Sequence, residues 1–261
     1  MINNSIDNGK SFDFGRTSTD YAKYRDIYPQ EFYSKIHTLG LCVENQEVLD
    51  LGTGTGVLPR NMYHYGAKFT GVDISKNQIE QAKRLSKGMD ITYLDTSVEN
   101  LSFEKSTFDV VTACQCFHYF NHDVLAPIIS NILKPNGRFA IMFMEWLPFE
   151  DKVAKATEDL ILKYNPNWTG CNETRHKIVI PDTYNKYFNL EDNIIFDLKV
   201  PFTIDTWNGR IKTCRGIGAS LSNEEISSFE KEHLKLLKSI TPNSFDILHY
   251  GVIAILKKKE V

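Results

Sequence analysis

A loop of three glycines is the segment whose residue types and spacing most clearly suggest chemistry. Gly52, Gly54 and Gly56 stand between a short apolar run, residues 47–51, and the start of a helical run. Glycine lets a backbone turn tightly and approach a ligand closely, and several nucleotide cofactors are held in this way. The dinucleotide fingerprint needs its third glycine one position later, where Val57 stands. The spacing therefore favours a nucleotide cofactor other than a dinucleotide.

Two aspartates accompany the glycine loop. Asp50 precedes Gly52 by two residues, and a carboxylate there would repel a pyrophosphate but attract a cationic amine or sulfonium. Asp73 ends the next apolar run, 21 residues after Gly52, where an acidic residue can accept both hydrogen bonds of a ribose diol. Each has a simpler interpretation: Asp50 as a solvated strand end, and Asp73 as a helix cap or turn residue.

A histidine follows the fourth apolar run of the chain. If that run is a parallel strand, His118 lies at the carboxyl edge of the sheet, where ligands bind, and could act as a general base. A hydrogen-bonded loop histidine is the competing interpretation. Tyr119 could wall an acceptor pocket or simply pack as an aromatic residue.

Composition excludes several classes of protein. The 261 residues are 42% hydrophobic and 24% charged, as in ordinary globular proteins, and the net charge of −3 gives no basic face for nucleic acid. No apolar run is long enough to cross a membrane, and the N-terminus does not resemble a secretory signal. The five cysteines are odd in number and sparse, so we expect a reducing compartment, a cytoplasmic location and no metal site.

Alternating patterns define the core of the fold. Residues 46–143 alternate short β-rich runs with amphipathic helical runs, which predicts an α/β fold, a parallel sheet with helices on both faces. Ser75 and Gln78 fit a capping box for the helix after Asp73. Near the C-terminus, Ser222 should cap a helix over residues 223–240, which a last strand over 247–256 follows.

Three segments resemble one family in sequence and in order. Residues 48–56, 71–75 and 133–138 strongly resemble a class I S-adenosylmethionine-dependent methyltransferase. Residues 21–29 and 117–120 are similar to a bacterial small-molecule branch of that family. The resemblance implies a doubly wound, Rossmann-like sheet of seven strands whose last strand is antiparallel.

The resemblance also implies residue roles. The glycine loop would pack on the methionine portion of the cofactor, Asp73 would bind the ribose, and residues 97–99 would lie beside the adenine. Ser97 stands where many relatives have Asp, so its Oγ or the Val98 backbone would meet the adenine amino group. The predicted cofactor-binding residues are Tyr21, Arg25, Asp50, Gly52, Thr53, Gly54, Gly56, Asp73, Ile74, Ser97, Val98, Glu99, Cys114 and Gln115.

Two further segments are assigned to the substrate side. Residues 1–40 are predicted to form a helical lid, and residues 146–190 an insertion that caps the acceptor, on a cofactor-binding domain of residues 41–145 and 191–261. In the lid, Arg25 would meet a carboxylate of cofactor or substrate, although the tyrosines around it could instead pack on the core. The predicted acceptor-binding residues are Tyr24, Tyr28 and Trp146.

The sequence therefore predicts methyl transfer from S-adenosylmethionine to a small molecule by in-line displacement. No general base is strictly needed where the acceptor is already nucleophilic; otherwise His118, with Tyr119 beside it, would serve. Two alternatives stay open: a cofactor-binding module without activity, and a dehydrogenase that uses a nicotinamide dinucleotide. The sequence does not indicate the acceptor, the attacking atom or the oligomeric state.

Overall fold

The computed structural model describes residues 6–14 and 18–260. The chain folds as two compact units. Unit 1 consists of the segments Met1–Pro29, Glu145–Arg175 and Asp197–Tyr250, and unit 2 of Gln30–Met144, His176–Phe196 and Gly251–Val261. These divisions differ from the domain boundaries predicted from the sequence, and the lid and cap roles stay predictions.

The chain forms a seven-stranded sheet. Its strands are Glu47–Leu51 (β1), Lys68–Asp73 (β2), Ile91–Asp95 (β3), Phe108–Cys114 (β4), Leu133–Trp146 (β5), Phe188–Thr203 (β6) and Ser244–Lys258 (β7). They lie in the order β3-β2-β1-β4-β5-β7-β6. Strands β1 to β5 pair in parallel where they are neighbours, and the last strand, β7, is antiparallel, which confirms the predicted fold class.

The central strands of unit 2 are buried on both faces. Val48, Leu49 and Leu51 of β1 and Val110 and Val111 of β4 are solvent-inaccessible. Such continuous apolar runs are typical of a parallel sheet that helices cover on both sides. The helices of unit 2 are Gln30–Thr38 (α2), Val57–Met62 (α3), Lys76–Leu85 (α4) and His122–Ile132 (α5).

Unit 1 is built mainly from helices, which are Ser18–Tyr24 (α1), Lys152–Tyr164 (α6), Ile204–Lys212 (α7) and Asn223–Ile240 (α8). Helix α7 packs against α1 and α8, and α6 packs against α8. Ser222 forms the predicted cap of α8, with a complete capping box to Glu225. The sequence patterns did not predict α7.

The predicted capping box at α4 is not formed. Ser75 is the N-cap residue of α4, but its side chain makes no capping hydrogen bond. Its backbone N–H instead donates to Asp73 Oδ1 over 2.8 Å, and Gln78 is buried against the fold. Over residues 6–14 and 18–260, the helices are all too short or too polar to cross a membrane.

Candidate active site

The glycine loop leaves the end of β1 and leads into α3. Gly52 and Gly56 have φ angles of +59° and +73°, in the left-handed region that L-residues with a side chain rarely adopt. A Cβ on Gly52 would lie 2.8 Å from Cβ of Cys116, and one on Gly56 would lie 2.8 Å from Cζ of Tyr93. Both positions therefore require glycine for backbone conformation and for space.

Asp73, at the end of β2, is bonded directly to the glycine loop. Its Oδ2 accepts the backbone N–H of Gly54 over 2.9 Å, and its Oδ1 accepts the N–H of Ser75 over 2.8 Å. Burial raises the pKa of Asp73 above its usual value, and the two backbone bonds oppose the rise. A carboxylate has about four acceptor positions, so two remain for the hydroxyls of a diol.

Asp50 lies deeper than the sequence suggested. Its side chain is 2% exposed and its Oδ1 accepts a hydrogen bond from the Thr112 hydroxyl over 2.7 Å. Burial raises the pKa of Asp50 to about 6, and the nearby charge of Asp73 adds to the rise. Asp50 is therefore not a solvated strand end, and its contact with a cofactor stays a prediction.

The segment after β3 lies at the same edge of the sheet, since Asp73 and Asp95 are register partners at the ends of β2 and β3. Ser97 is the N-cap of a short 3-10 helix, residues 98–100, in which Val98 is buried and Glu99 is exposed. Ile74 follows Asp73 and is 62% exposed. The exposed Ile74 beside the half-buried Asp73 offers an apolar surface on which a planar ring could lie.

The end of β4 is fixed to both neighbouring strands. Cys116 Sγ donates to the carbonyl oxygen of Leu51 over 3.0 Å. Gln115 has a φ of +62°, and its N–H and its Nε2 donate to the carbonyl oxygens of Met142 and Met144, over 2.9 and 2.6 Å. This hydrogen bonding anchors Cys114 and Gln115 beside the glycine loop, because the strands on both sides hold the turn.

His118 and Tyr119 lie on the 3-10 helix Phe117–Tyr119, which follows that turn. His118 is exposed, and its ring centroid lies 3.9 Å from that of Tyr119 and 5.6 Å from that of Phe143. The next histidine, His122, is the first residue of α5, and burial lowers its pKa. His118 is exposed to solvent, whereas His122 is half-buried and hydrogen-bonded with the Tyr184 hydroxyl.

Comparison with known proteins identifies this part of the chain. A family model described as a methyltransferase domain matches residues 49–141. That range contains the glycine loop, Asp73, the segment after β3 and the turn after β4, which are the features just described. Residues 49–141 are therefore similar to a methyltransferase domain.

Relatives of the methyltransferase domain differ in their chemistry. The ubiquinone biosynthesis O-methyltransferase of Bradyrhizobium diazoefficiens is 30% identical over 168 residues, which cover 62% of this chain and 64% of that protein. The chain spans 31% to 64% of the lengths of the curated relatives compared with it.

Two solved structures share the fold of the methyltransferase domain. The YcgJ protein of Bacillus subtilis superposes with a TM-score of 0.54 at 19% identity, over 89% of this chain and 100% of that one. An N-methyltransferase from Haemonchus contortus, solved with phosphomonomethylethanolamine and S-adenosylhomocysteine, gives 0.51 at 19% identity, over 87% of this chain and 52% of that one. At such identities the likeness shows the fold alone.

The remaining predicted residues lie in unit 1 and outside the matched range, residues 49–141. The guanidinium Cζ of Arg25 lies 5.0 Å from the ring centroid of Tyr21, and Tyr28 is half-buried. The ring of Tyr24 packs on Gly209, so closely that a Cβ there would overlap it. The cofactor and acceptor roles predicted for these side chains stay predictions.

Aromatic residues of the predicted insertion mostly fill the interior of the unit to which they belong. Trp146 is 5% exposed and its indole N–H donates to Glu158 Oε1 over 2.6 Å. Trp168 is also buried in unit 1, and Tyr184 is solvent-inaccessible in unit 2, where it packs on Phe117 and Phe139. The acceptor contact predicted for Trp146 stays a prediction, and the structure adds that its polar atom is already bonded.

Proposed function

We propose that this chain transfers the methyl group of S-adenosylmethionine to a small-molecule acceptor. The observation that carries the proposal is the pairing of Asp50 and Asp73 beside the left-handed glycine loop. The buried carboxyl of Asp50 and the half-buried carboxyl of Asp73 form an acidic site next to a backbone that admits close approach. That charge suits a sulfonium and an ammonium group, and it opposes the pyrophosphate of a dinucleotide.

The residues present fit this cofactor. Asp73 keeps two acceptor positions for the ribose hydroxyls after its bonds to the loop. We assign the glycine loop with Thr53 to the methionine portion, Ile74 and residues 97–99 to the adenine, and Cys114 and Gln115 to the surroundings of the sulfonium. The methyltransferase domain family supports the assignment, since its members use this cofactor class.

When bound, S-adenosylmethionine supplies a methyl group that is already activated for displacement by a nucleophile. The chain must then mainly bind and orient the two partners. Positioning alone contributes roughly 7–11 kcal/mol to lowering a barrier. The bonds from Gly54 to Asp73 and from Cys116 to Leu51 hold the loop and the turn after β4 rigidly, which is what such positioning requires.

His118 is the proposed general base where the acceptor carries a proton. It is exposed on the 3-10 helix after β4, at the carboxyl edge of the sheet. A positioned base contributes about 10²–10⁴-fold. Tyr119, whose ring packs at an angle of 50° against that of His118, would hold the imidazole or contact the acceptor. For an acceptor that is already nucleophilic, neither side chain is needed.

In unit 1 we propose that Arg25 and Tyr21 contribute to cofactor binding, and that Tyr24, Tyr28 and Trp146 contribute to acceptor binding. We propose no nucleic-acid or membrane partner, because the net charge is −3 and acids outnumber bases. Free cysteines throughout the described chain support a cytoplasmic location.

The test combines binding and turnover. Calorimetry with S-adenosylhomocysteine and with NADH should give measurable affinity for the first alone. Incubation with methyl-labelled S-adenosylmethionine and a bacterial metabolite extract should then transfer label to a small molecule. Tight NADH binding would favour a dehydrogenase, and cofactor binding without labelled product from any extract would favour a binding module; either result contradicts the proposal.

A further inference from the structure

Arg210 is a buried cation in unit 1, and two of its donor nitrogens lack hydrogen-bond partners within residues 6–14 and 18–260. It lies on α7 and is 3% exposed. Within the described part of the chain, its Nε and Nη1 are covered from solvent and have no hydrogen-bond partner. Buried charges in proteins are ordinarily paired, because an unpaired charge loses its hydration without compensation. Arg210 therefore has the capacity to bind an anion.

One aromatic ring contacts this guanidinium, and two further rings pack on that ring. Its Cζ lies 5.0 Å from the ring centroid of Trp146. The Trp207 ring meets Trp146 edge-on at 5.5 Å, and the His249 ring meets it edge-on at 6.4 Å. A ring face attracts the cationic charge but supplies no conventional acceptor to the N–H groups. The cation–π contact thus stabilises Arg210 without satisfying its donors.

The buried acid that bonds Trp146, Glu158, already has partners on both of its oxygens. Glu158 Oε1 accepts the indole N–H of Trp146 over 2.6 Å, and its Oε2 accepts the backbone N–H of Asn172 over 2.9 Å. Another acid near α7, Glu230, bonds Lys212 at 3.4 Å. No described carboxylate makes an ion pair with Arg210.

A second buried polar atom at the same tryptophan lacks a partner. His249 Nδ1 lies 3.0 Å from the carbonyl oxygen of Ile247, which only accepts, so Nδ1 carries the proton. Nε2 is then a lone-pair acceptor, and among the described residues it has no hydrogen-bond partner. Burial also lowers the pKa of His249 to about 4, so the ring is neutral at pH 7. Trp146 is therefore bordered by an unused donor group and an unused acceptor.

We propose that unit 1 contains a binding site for a small organic acid, in which Arg210 pairs with its carboxylate. The rings of Trp146, Trp207 and His249 cover the apolar part of the ligand, and His249 Nε2 accepts a hydrogen bond from a hydroxyl on it. One carboxylate balances the single charge of Arg210, whereas the second charge of a phosphate would lack a partner. The site shares Trp146 with the proposed acceptor-binding residues and rests on the proposed function in that residue alone, and the binding of an acid can be measured without methyl transfer.

The site is covered in this structure, which has a kinetic consequence. Because solvent does not reach Nε or Nη1, an entering acid must displace part of the aromatic shell. Association of an acid should therefore be slowed by the conformational change that admits it.

The experiment titrates the whole chain with four probes while following tryptophan emission and calorimetric heat. Mandelate and benzoate should bind, mandelate more tightly through its hydroxyl, with emission changing because Trp146 contacts Arg210. Benzamide, the neutral counterpart, and inorganic phosphate should bind at least tenfold more weakly. Equal affinity for benzoate and benzamide, or no binding of either acid, would overturn the proposal.

Variants separate binding from structure. Arg210→Met should lose acid binding at least tenfold and raise the thermal midpoint, since it removes an unpaired buried charge. Arg175→Gln is the matched control, because Arg175 pairs with Asp197 and Glu150 at the surface of the same unit; it should bind mandelate normally. Normal acid binding by Arg210→Met would disprove the site. If Arg210→Met fails to fold, Arg210→Lys should still weaken the binding of mandelate severalfold. The difference in affinity between benzoate and benzamide, measured on the unaltered chain, tests the proposal independently of any variant.

Discussion

The thiol of Cys116 is bonded to the backbone carbonyl of Leu51, across 3.0 Å. The bond joins the turn after β4 to the last residue of β1, which directly precedes the glycine loop. Burial raises the pKa of the Cys116 thiol well above its usual value, so the group stays a protonated donor. The same side chain occupies the space that a Cβ on Gly52 would need.

Gly52→Ala should therefore abolish cofactor binding. The left-handed backbone costs about 1–2 kcal/mol for alanine, and overlap with Cys116 adds about 1–3 kcal/mol. Gly88→Ala is the control, because Gly88 has a φ of +90° with nothing within 4 Å of an added Cβ, so it reports backbone strain alone. Urea unfolding and calorimetry with S-adenosylhomocysteine would measure both. Equal effects of the two substitutions would show that the contact with Cys116 is unimportant.

Asp50→Asn should stabilise the fold and weaken the binding of a cation. The amide oxygen keeps the bond from Thr112, while the charge that burial disfavours is removed. A folded pKa of about 6, against the usual 3.8, sets a ceiling of roughly 3 kcal/mol on the gain at pH 8.

The sign of this effect fixes its pH dependence. Because the folded pKa is raised, the destabilisation by ionised Asp50 is present above pH 6 and fades as pH falls towards 4. The advantage of Asp50→Asn in urea unfolding should shrink over the same interval. S-adenosylmethionine should lose more affinity than S-adenosylhomocysteine, since only the first carries the sulfonium. A variant that is less stable at pH 8 would contradict the buried-charge account.

Asp73→Asn should weaken cofactor affinity at least tenfold. An asparagine offers one acceptor oxygen, so it cannot bond both Gly54 and Ser75 and still meet a ribose diol. Asp95→Asn is the matched control, because Asp95 is the exposed register partner of Asp73 on β3. Calorimetry with S-adenosylhomocysteine would compare them, and similar losses in both would remove Asp73 from the ribose role.

His118→Gln should lower kcat about 10²–10⁴-fold for an acceptor that must lose a proton, with cofactor affinity unchanged. Because His118 is exposed, its substitution should leave folding unchanged. Tyr119→Phe tests whether the neighbouring hydroxyl contributes. Initial rates measured from pH 5 to 9 would show whether the variant lacks the fall in rate at low pH that protonation of a general base causes. An unaltered pH profile would assign His118 to the loop rather than to the reaction.

The sheet and its carboxyl edge could be predicted because their signals are local. Apolar runs that end in glycine or aspartate mark strands β1 and β2, and Ser222 with Glu225 marks the start of α8. Helix α7 was missed because it contains Gly209 and begins with a threonine pair, Thr203 and Thr206, in place of the usual serine and glutamate.

Other features depend on contacts between distant positions. The depth of Asp50 follows from Thr112, 62 residues away. The Ser75 capping box failed because Asp73 accepts the Ser75 N–H in the fold, a competition that spacing alone does not reveal. The aromatic surroundings of Arg210 come from Trp146 and His249, which no sequence pattern connects.

Strands β5, β6 and β7 each contribute residues to both units, which makes the two units topologically interdependent. Unit 2 includes the segment from Gly251 onwards, so its part of the sheet stays incomplete until that segment has been synthesised. Because each unit is built from three alternating segments of the chain, a single cut would leave one unit or the other without one of its strands. Co-translational folding of the first hundred residues should accordingly yield only an unfinished sheet with an exposed edge, a species that would rely on chaperones until β7 arrives.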